Sequence, residues 1–232
     1  TAPGGEGGYT LLADITKSFD VVPISQEFQS LPEDLDVLFV AHPPELSARQ
    51  AWLIDQYILR HGRAVFMVDP AAKTAMGDGM FGTSRDHARS DLGALGKAWG
   101  VTLSEDAVAD AANALPVPVD TGNGRMEELA HPLFIGTPAS DMNANDLVTA
   151  DLTRNVNFGA PGALLADDLP DGEVFSPLIS TGPSPSYIDA GAAVRDMTPG
   201  DVLKWYKTSP QPLVLAARLS GSLATAFPAG AP

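Results

Sequence analysis

Two short apolar runs, "DVLFVA" at 36–41 and "AVFMVDP" at 64–70, bracket a stretch whose apolar positions recur every three to four residues. Unbroken runs rich in Val, Leu and Phe predict strands covered on both faces. Between them Ala51, Ile54 and Ile58 share one helical face, and Trp52, Leu53 and Tyr57 broaden it. Ser47 stands three residues before Gln50, the spacing at which two side chains satisfy each other's orphan backbone N–H groups at a helix start. "PPEL" breaks the chain ahead of this helix, and Gly62 after His61 fits the left-handed position that ends one. Strand, helix and strand in this order predict a βαβ unit with parallel strands and a right-handed crossover.

The rest of the chain is patterned less cleanly. "YTLLADITKSF" reads as a short helix and "DVVPI" at 20–24 as a strand, with Pro23 placing it at an edge. Residues 71–90 are Gly-rich and mixed in charge, as in a long surface loop. "SDLGALGKAWGVTLS" then repeats the earlier grammar: Ser90 as cap, Leu92, Leu95 and Trp99 on one face, Gly100 as stop. From about residue 104 short segments such as "ALPVPV", "PLFIGT", "DLVTADL" and "PLVLAARL" alternate with Pro, Gly, Asn and Asp, and predict strands joined by turns. One helix interrupts them, "PGDVLKWYKT", with Val202, Leu203, Trp205 and Tyr206 as its apolar side. The expected fold is α/β, a largely parallel sheet flanked by helices with a strand-rich second half. It occupies a single domain over 9–228, βαβ-rich to 103, with flexible ends at 1–8 and 229–232.

Composition narrows the function classes. Acidic residues number 29 against 14 basic ones, a net charge of −15 that repels nucleic acid and anionic membrane surfaces. With no cysteine there are no disulfides, thiolate nucleophiles or Cys-ligated metals. No apolar run approaches the roughly 18 residues that span a bilayer, and "TAPGGEGG" lacks the features of a signal peptide. Starting without Met and closing on "AFPAGAP", the chain reads as a soluble piece of something longer.

His42 and Asp69 are the candidate site. Both follow the carboxyl ends of the predicted parallel strands, the edge where open α/β sheets place ligands. A His–carboxylate pair there can do acid–base work, but no nucleophile motif or metal-ligand spacing accompanies it. We therefore read the pair as ligand-binding or structural, with hydrolase or lyase chemistry as the alternative. No G-x-S-x-G, phosphate loop or His-rich metal spacing occurs, and "DMNANDLVTADL" fails as a calcium loop at Asp146 and Leu152. No cofactor is expected. Trp52, Trp99 and Trp205 raise a carbohydrate-binding module as a further reading, though each falls on a predicted apolar helical face, which favours the core.

The ordered motifs carry a resemblance. Asp36 to Pro43, Leu46–Ser47, Ile54 to Tyr57 and Gly62 to Pro70 follow one another as in the GldG-like proteins, auxiliary components of ABC transport systems named for gliding motility. "AWG", "NFGAPGAL", "SPLIST" and "LAARLSG" with "TAFP" extend the likeness over about 20–228, and His61 stands where the family has the first of two glycines. The resemblance implies a non-catalytic extracytoplasmic domain at the periplasmic face of the inner membrane. It would be anchored by segments absent from this chain and partnered by permease or ATPase subunits, an envelope protein or a transported ligand. It also implies a glutamine-amidotransferase-like or flavodoxin-like architecture, without the nucleophilic cysteine that amidotransferases use.

Overall fold

The computed structural model describes residues 10–43, 45–72, 89–122, 124–195 and 197–232. The chain forms two compact units, 1–34 and 35–232. In the first, α1 (Thr10–Ile15) is a single helical stretch, with a surface pair between Lys17 Nζ and Asp14 Oδ1 at 2.6 Å. The strand expected at 20–24 does not form; these residues are irregular. Without a neighbouring strand to pair with, a five-residue apolar run containing Pro has little to hold it extended.

The second unit opens with β1 (Val37–Ala41), α2 (Ala48–Leu59) and β2 (Arg63–Met67). The two strands pair in parallel, with Val37 opposite Arg63 and Ala41 opposite Met67. Ser47 caps α2 as its spacing predicts: Gln50 N–H donates to Ser47 Oγ at 3.3 Å, and Ser47 N–H donates to Gln50 Oε1 at 3.0 Å. The helix buries Ala51 and Ile54. Its end differs from expectation. His61, not Gly62, takes the left-handed conformation (φ 68°). The His61 and Gly62 amides close back on the carbonyls of Ile58 and Tyr57 at 3.0 Å each, the bond pair of a Schellman end. Gly62 is needed for space, since a Cβ there would lie 2.5 Å from the Tyr57 ring. That ring's hydroxyl lies 3.2 and 3.1 Å from the carbonyls of Leu35 and Arg63, at the amino ends of both strands.

Within this unit and among the described residues, only one face of the pair is covered. Val37, Phe39, Val65 and Met67 are 41–45% exposed and alternate with buried or half-buried neighbours. The expectation of strands covered on both faces is corrected here.

Beyond α3 (Gly93–Ala98) the architecture is antiparallel. The strands are β3 (Val101–Ala109), β4 (Ala114–Asp120), β5 (Met126–Thr137), β6 (Val156–Gly159), β7 (Gly162–Ala166), β8 (Glu173–Ser180), β9 (Ser186–Ile188) and β10 (Val214–Gly221). They make two three-stranded sheets, β7-β3-β9 and β4-β5-β6, and the pair β10-β8. The largely parallel sheet flanked by helices, of glutamine-amidotransferase-like or flavodoxin-like form, is therefore not what this chain builds. Among the described strands the β1–β2 pair alone is parallel. Short Pro-broken segments joined by tight turns suit antiparallel pairing, which needs no crossover helix. β4, with Pro116 and Pro118, pairs only with β5 and holds the edge position that strand prolines require. The expected strand "DLVTADL" is a run of turns held by Asp146, whose carboxylate accepts the Val148 N–H and pairs with Arg218.

β3 runs through the interior. Ala107 and Ala109 pack with Leu133, Ile188 and Val202 on one side, while Val108 joins Ile135, Ala163 and Leu215 on the other. Two short helices, α4 (Ala190–Ala193) and α5 (Pro199–Trp205), complete the unit. α5 buries Val202 and leaves Leu203 53% and Trp205 57% exposed, so the apolar side expected from its sequence is only partly used.

Candidate functional site

The ends of the parallel strands meet in a hydrogen-bonded corner. His42 extends the pairing one step past β1, donating its N–H to Met67 O at 2.8 Å. It does so in the left-handed region (φ 43°), an unusual conformation for a residue with a Cβ. Its Nδ1 lies 2.8 Å from Ser90 Oγ. Ser90 Oγ also accepts the Asp69 N–H at 3.0 Å, and the Ser90 N–H returns to Asp69 O at 2.8 Å. The structure thus places His42 and Asp69 at one corner and joins them through Ser90, which is 4% exposed.

The sequence pattern predicts Ser90 as the cap of the following helix. Ser90 does not cap it: α3 begins after Leu92 with no side-chain cap, and the serine is spent in the corner. Nothing local signals that role, since its partners lie 21 and 48 residues away in sequence.

Asp69 turns Oδ1 to the Ala71 N–H at 2.7 Å. Burial raises its carboxyl above the usual 3.8; the Ala71 hydrogen bond and the nearby His42 oppose that without cancelling it. Pro70 and Ala71, next along the chain, are buried, and Ala71 reaches the main core. A Cβ on Gly162 would come within 2.9 Å of Pro70. The "VDP" sequence is thus an anchor that fixes the strand end against the antiparallel region. A serine nucleophile needs an accessible hydroxyl whose proton passes to the imidazole. Here the hydroxyl is buried and already accepts an amide, so the corner is better suited to holding shape than to reacting.

The other histidines have structural roles or lie elsewhere. His131 accepts the Leu133 N–H at Nδ1 and sets Nε2 2.9 Å from Met197 O, so Nε2 carries the donated proton. His87, the "GDGMFG" glycines and most of the expected 71–90 loop lie outside the described residues. Trp99 is buried against Phe66, and Trp52 lies beneath the Arg49 guanidinium at 4.5 Å.

Two carboxylates with no exposed surface, Asp55 and Asp110, hold the fold together and are not among the residues the sequence singles out. Asp55 accepts from Thr225 Oγ1 at 2.8 Å and from the Ala226 N–H at 2.9 Å, tying α2 to the C-terminal "TAFP". Asp110 accepts the amides of Ala112, Asn113 and Gly182 at 2.9, 3.3 and 2.7 Å, and Asn113 Nδ2 at 3.0 Å. The clue for Asp55 was an acid beside Ile54 on the buried face of a helix, which calls for a partner elsewhere. Among the described residues no group of three His, Asp or Glu side chains could hold a metal ion. No helix there is long and apolar enough to cross a membrane.

These contacts define a mixed α/β domain in which the motifs "IDQY", "VDP" and "TAFP" hold distant segments together. Residues 2–232 match the family described as an ABC-type uncharacterized transport system, and the chain belongs to that family. It is an auxiliary component of an ABC-type transport system by that membership. No curated protein and no solved structure matches the chain.

Proposed function

We propose that this domain is a non-enzymatic docking element that binds a subunit of its ABC transporter. The contact surface is the carboxyl end of β1 and β2 around His42 and Asp69, together with the adjoining open face of the pair. One observation carries the reading: Val37, Phe39, Val65 and Met67 stay 41–45% exposed on a parallel pair, an arrangement that proteins ordinarily cover on both faces. The occupant is an apolar segment of a permease or ATPase subunit, a reading supported by membership of an ABC-type transport family. The motif resemblance supports the GldG-like branch and the periplasmic face of the inner membrane.

In-cell photo-crosslinking tests this. A photoreactive phenylalanine in place of Phe39 should capture a permease or ATPase subunit, and Phe39→Asp should abolish co-purification without lowering thermal stability. Capture of neither subunit from positions 39 and 65, with the transporter intact, would sink the proposal.

A second reading, a hydrolase or lyase, draws on the contact between His42 and Ser90 and on the raised carboxyl of Asp69. His42→Ala decides against it if transport in cells is unchanged while the protein stays folded.

A further inference from the structure

Away from the His42 corner, an open cleft of about 600 Å³ is lined by Asp106, Tyr187, Asp189, Lys204, Trp205 and Lys207, with Ile188 also on its wall. We infer that this cleft binds a saccharide, with the Trp205 indole as the stacking platform.

The exposure of Trp205 is built into the chain around it. Val202 fixes α5 in the main core, and Tyr206 packs against the same core. The Tyr206 hydroxyl donates to Ser184 O at 2.7 Å and accepts the Ala111 N–H at 3.0 Å. One residue on, the Lys207 N–H is held by the buried Ser186 Oγ at 2.8 Å. With Val202 and Tyr206 fixed inward, the indole at the end of the helix is held on the surface, 57% exposed. An indole is enriched at binding surfaces because it offers a broad apolar face beside a polar N–H.

The polar groups around it suit hydroxyls. Tyr187 is half-buried, and its hydroxyl has no hydrogen-bond partner among the described residues. Burial and the carboxylates of Asp106 and Asp167 raise this phenol above its usual value, so it stays a neutral donor and acceptor. Asp189 uses Oδ1 to cap α4 through the Ala192 N–H and keeps its second oxygen for another donor. Lys204 pairs with Asp201 at 2.8 Å, whereas Lys207 forms no ion pair among the described residues.

Two carboxylates and two ammonium groups line the cleft, but Asp201 takes the charge of Lys204 and Asp167 acts on Tyr187, so its surroundings are net acidic. That balance disfavours a nucleotide, whose phosphates would meet both Asp106 and Asp189. A sugar ring fits the pattern: its C–H face stacks on an indole, and its edges carry hydroxyls that donate to carboxylates and accept from tyrosine and lysine. The volume falls within the usual range for small-ligand clefts. Trp205 is thus neither core nor a helix-packing residue, as its place in the sequence had suggested, but the surface on which a ligand lies.

The test is titration of the whole chain with three probes: cellotetraose, chitotetraose and tetragalacturonate. Tryptophan fluorescence and heteronuclear NMR would be the readouts. At least one probe should bind saturably with a Kd of about 1 mM or tighter, shifting amide signals of 186–189 and 203–207. Trp205→Ala should weaken that binding about tenfold, and Tyr187→Phe or Lys207→Ala should weaken it less. Trp52→Phe should leave it unchanged. Because Tyr187→Phe removes only a hydroxyl, it tests the cleft even if Trp205→Ala proves poorly folded. No binding by any probe at about 10 mM, or binding undiminished in both Trp205→Ala and Tyr187→Phe, would overturn the inference. Tetragalacturonate alone binding would make the ligand an acidic saccharide and assign Lys207 to its carboxylate.

Discussion

The parallel unit at 35–72 and the antiparallel region from Val101 to Gly221 are held together by different means. In the first, the contacts that begin and end the helix are local, although Asp55 also reaches the C-terminal segment. Ser47 and Gln50 cap each other, the His61 and Gly62 amides close the helix on its own carbonyls, and Tyr57 ties the helix to Arg63 six residues away. In the second, the contacts span the chain. β3 takes β7 and β9 as neighbours, β8 pairs with β10, and Asp110 holds the Gly182 amide 72 residues away. Local contacts leave a readable trace in sequence, whereas distant ones depend on partners that sequence does not name. The corner of His42, Asp69 and Ser90 is where the two regimes meet.

The sharpest way to break this comparison is at the helix ends. Gly100 ends α3 with φ 60°, and a Cβ there would lie 2.2 Å from the Asp168 carbonyl oxygen. That contact belongs to the distant kind, backbone against backbone. Gly100→Ala should therefore destabilise the protein by about 3 kcal/mol or more, measured by urea denaturation. Gly93 is the control. It is also left-handed (φ 54°), but its Cβ would meet nothing closer than 3.8 Å, so Gly93→Ala should cost only the conformational term of about 1 kcal/mol. Equal losses at the two sites would mean that backbone conformation, not the approach of Asp168, dictates Gly100.

Asp55 gives the next largest effect. Asp55→Ala would leave the Ala226 N–H and the Thr225 hydroxyl without their acceptor and release the C-terminal segment from α2. A loss of about 3 kcal/mol is expected, with faster amide exchange at 224–227. Exchange unchanged there would show that the segment is held by other contacts.

His61→Gly goes the other way. A histidine at φ 68° carries a strain that glycine does not. The substitution should stabilise the protein by about 1 kcal/mol, visible as a higher urea midpoint at the same slope. A lower midpoint would mean that the imidazole makes a compensating contact.

How much of this was legible follows the same division. The capping box, the buried stripe of α2 and the two strands could be read because each signal lies within a few residues of its effect. The sequence pattern points to Gly62 for the left-handed position, but Gly62 is a glycine for the sake of Tyr57, and His61 carries the turn. The antiparallel pairing was not legible, because an apolar run such as "DAVA" looks the same whichever direction its neighbour takes. The turn at 146–152 looks like a strand in sequence for a related reason: Leu147, Val148 and Leu152 are all exposed, and their apolar character is not used for burial. At the site, the positions of His42 and Asp69 could be reasoned from strand ends, whereas Ser90 could not. In α5 a seven-residue helix is too short for its periodicity to say which of Leu203 and Trp205 is buried, and neither is.

The smallest effect concerns the corner itself and is a matter of sign. Burial raises Asp69 above 3.8, so the folded chain holds its proton more tightly than the unfolded chain does. The stability linked to this group is therefore fullest below pH 3.8 and is lost as pH rises through the folded value. Asn at this position cannot ionise and keeps a carbonyl oxygen for the Ala71 N–H. Asp69→Asn should thus be more stable than the parent at pH 7, with the difference shrinking toward zero as pH falls below 3.8. Paired urea titrations at several pH values give the curve. A difference that grows on acidification would mean that the attraction of His42 outweighs burial. Asp69 would then be a charged partner of the histidine, and the corner would regain its claim to acid–base chemistry.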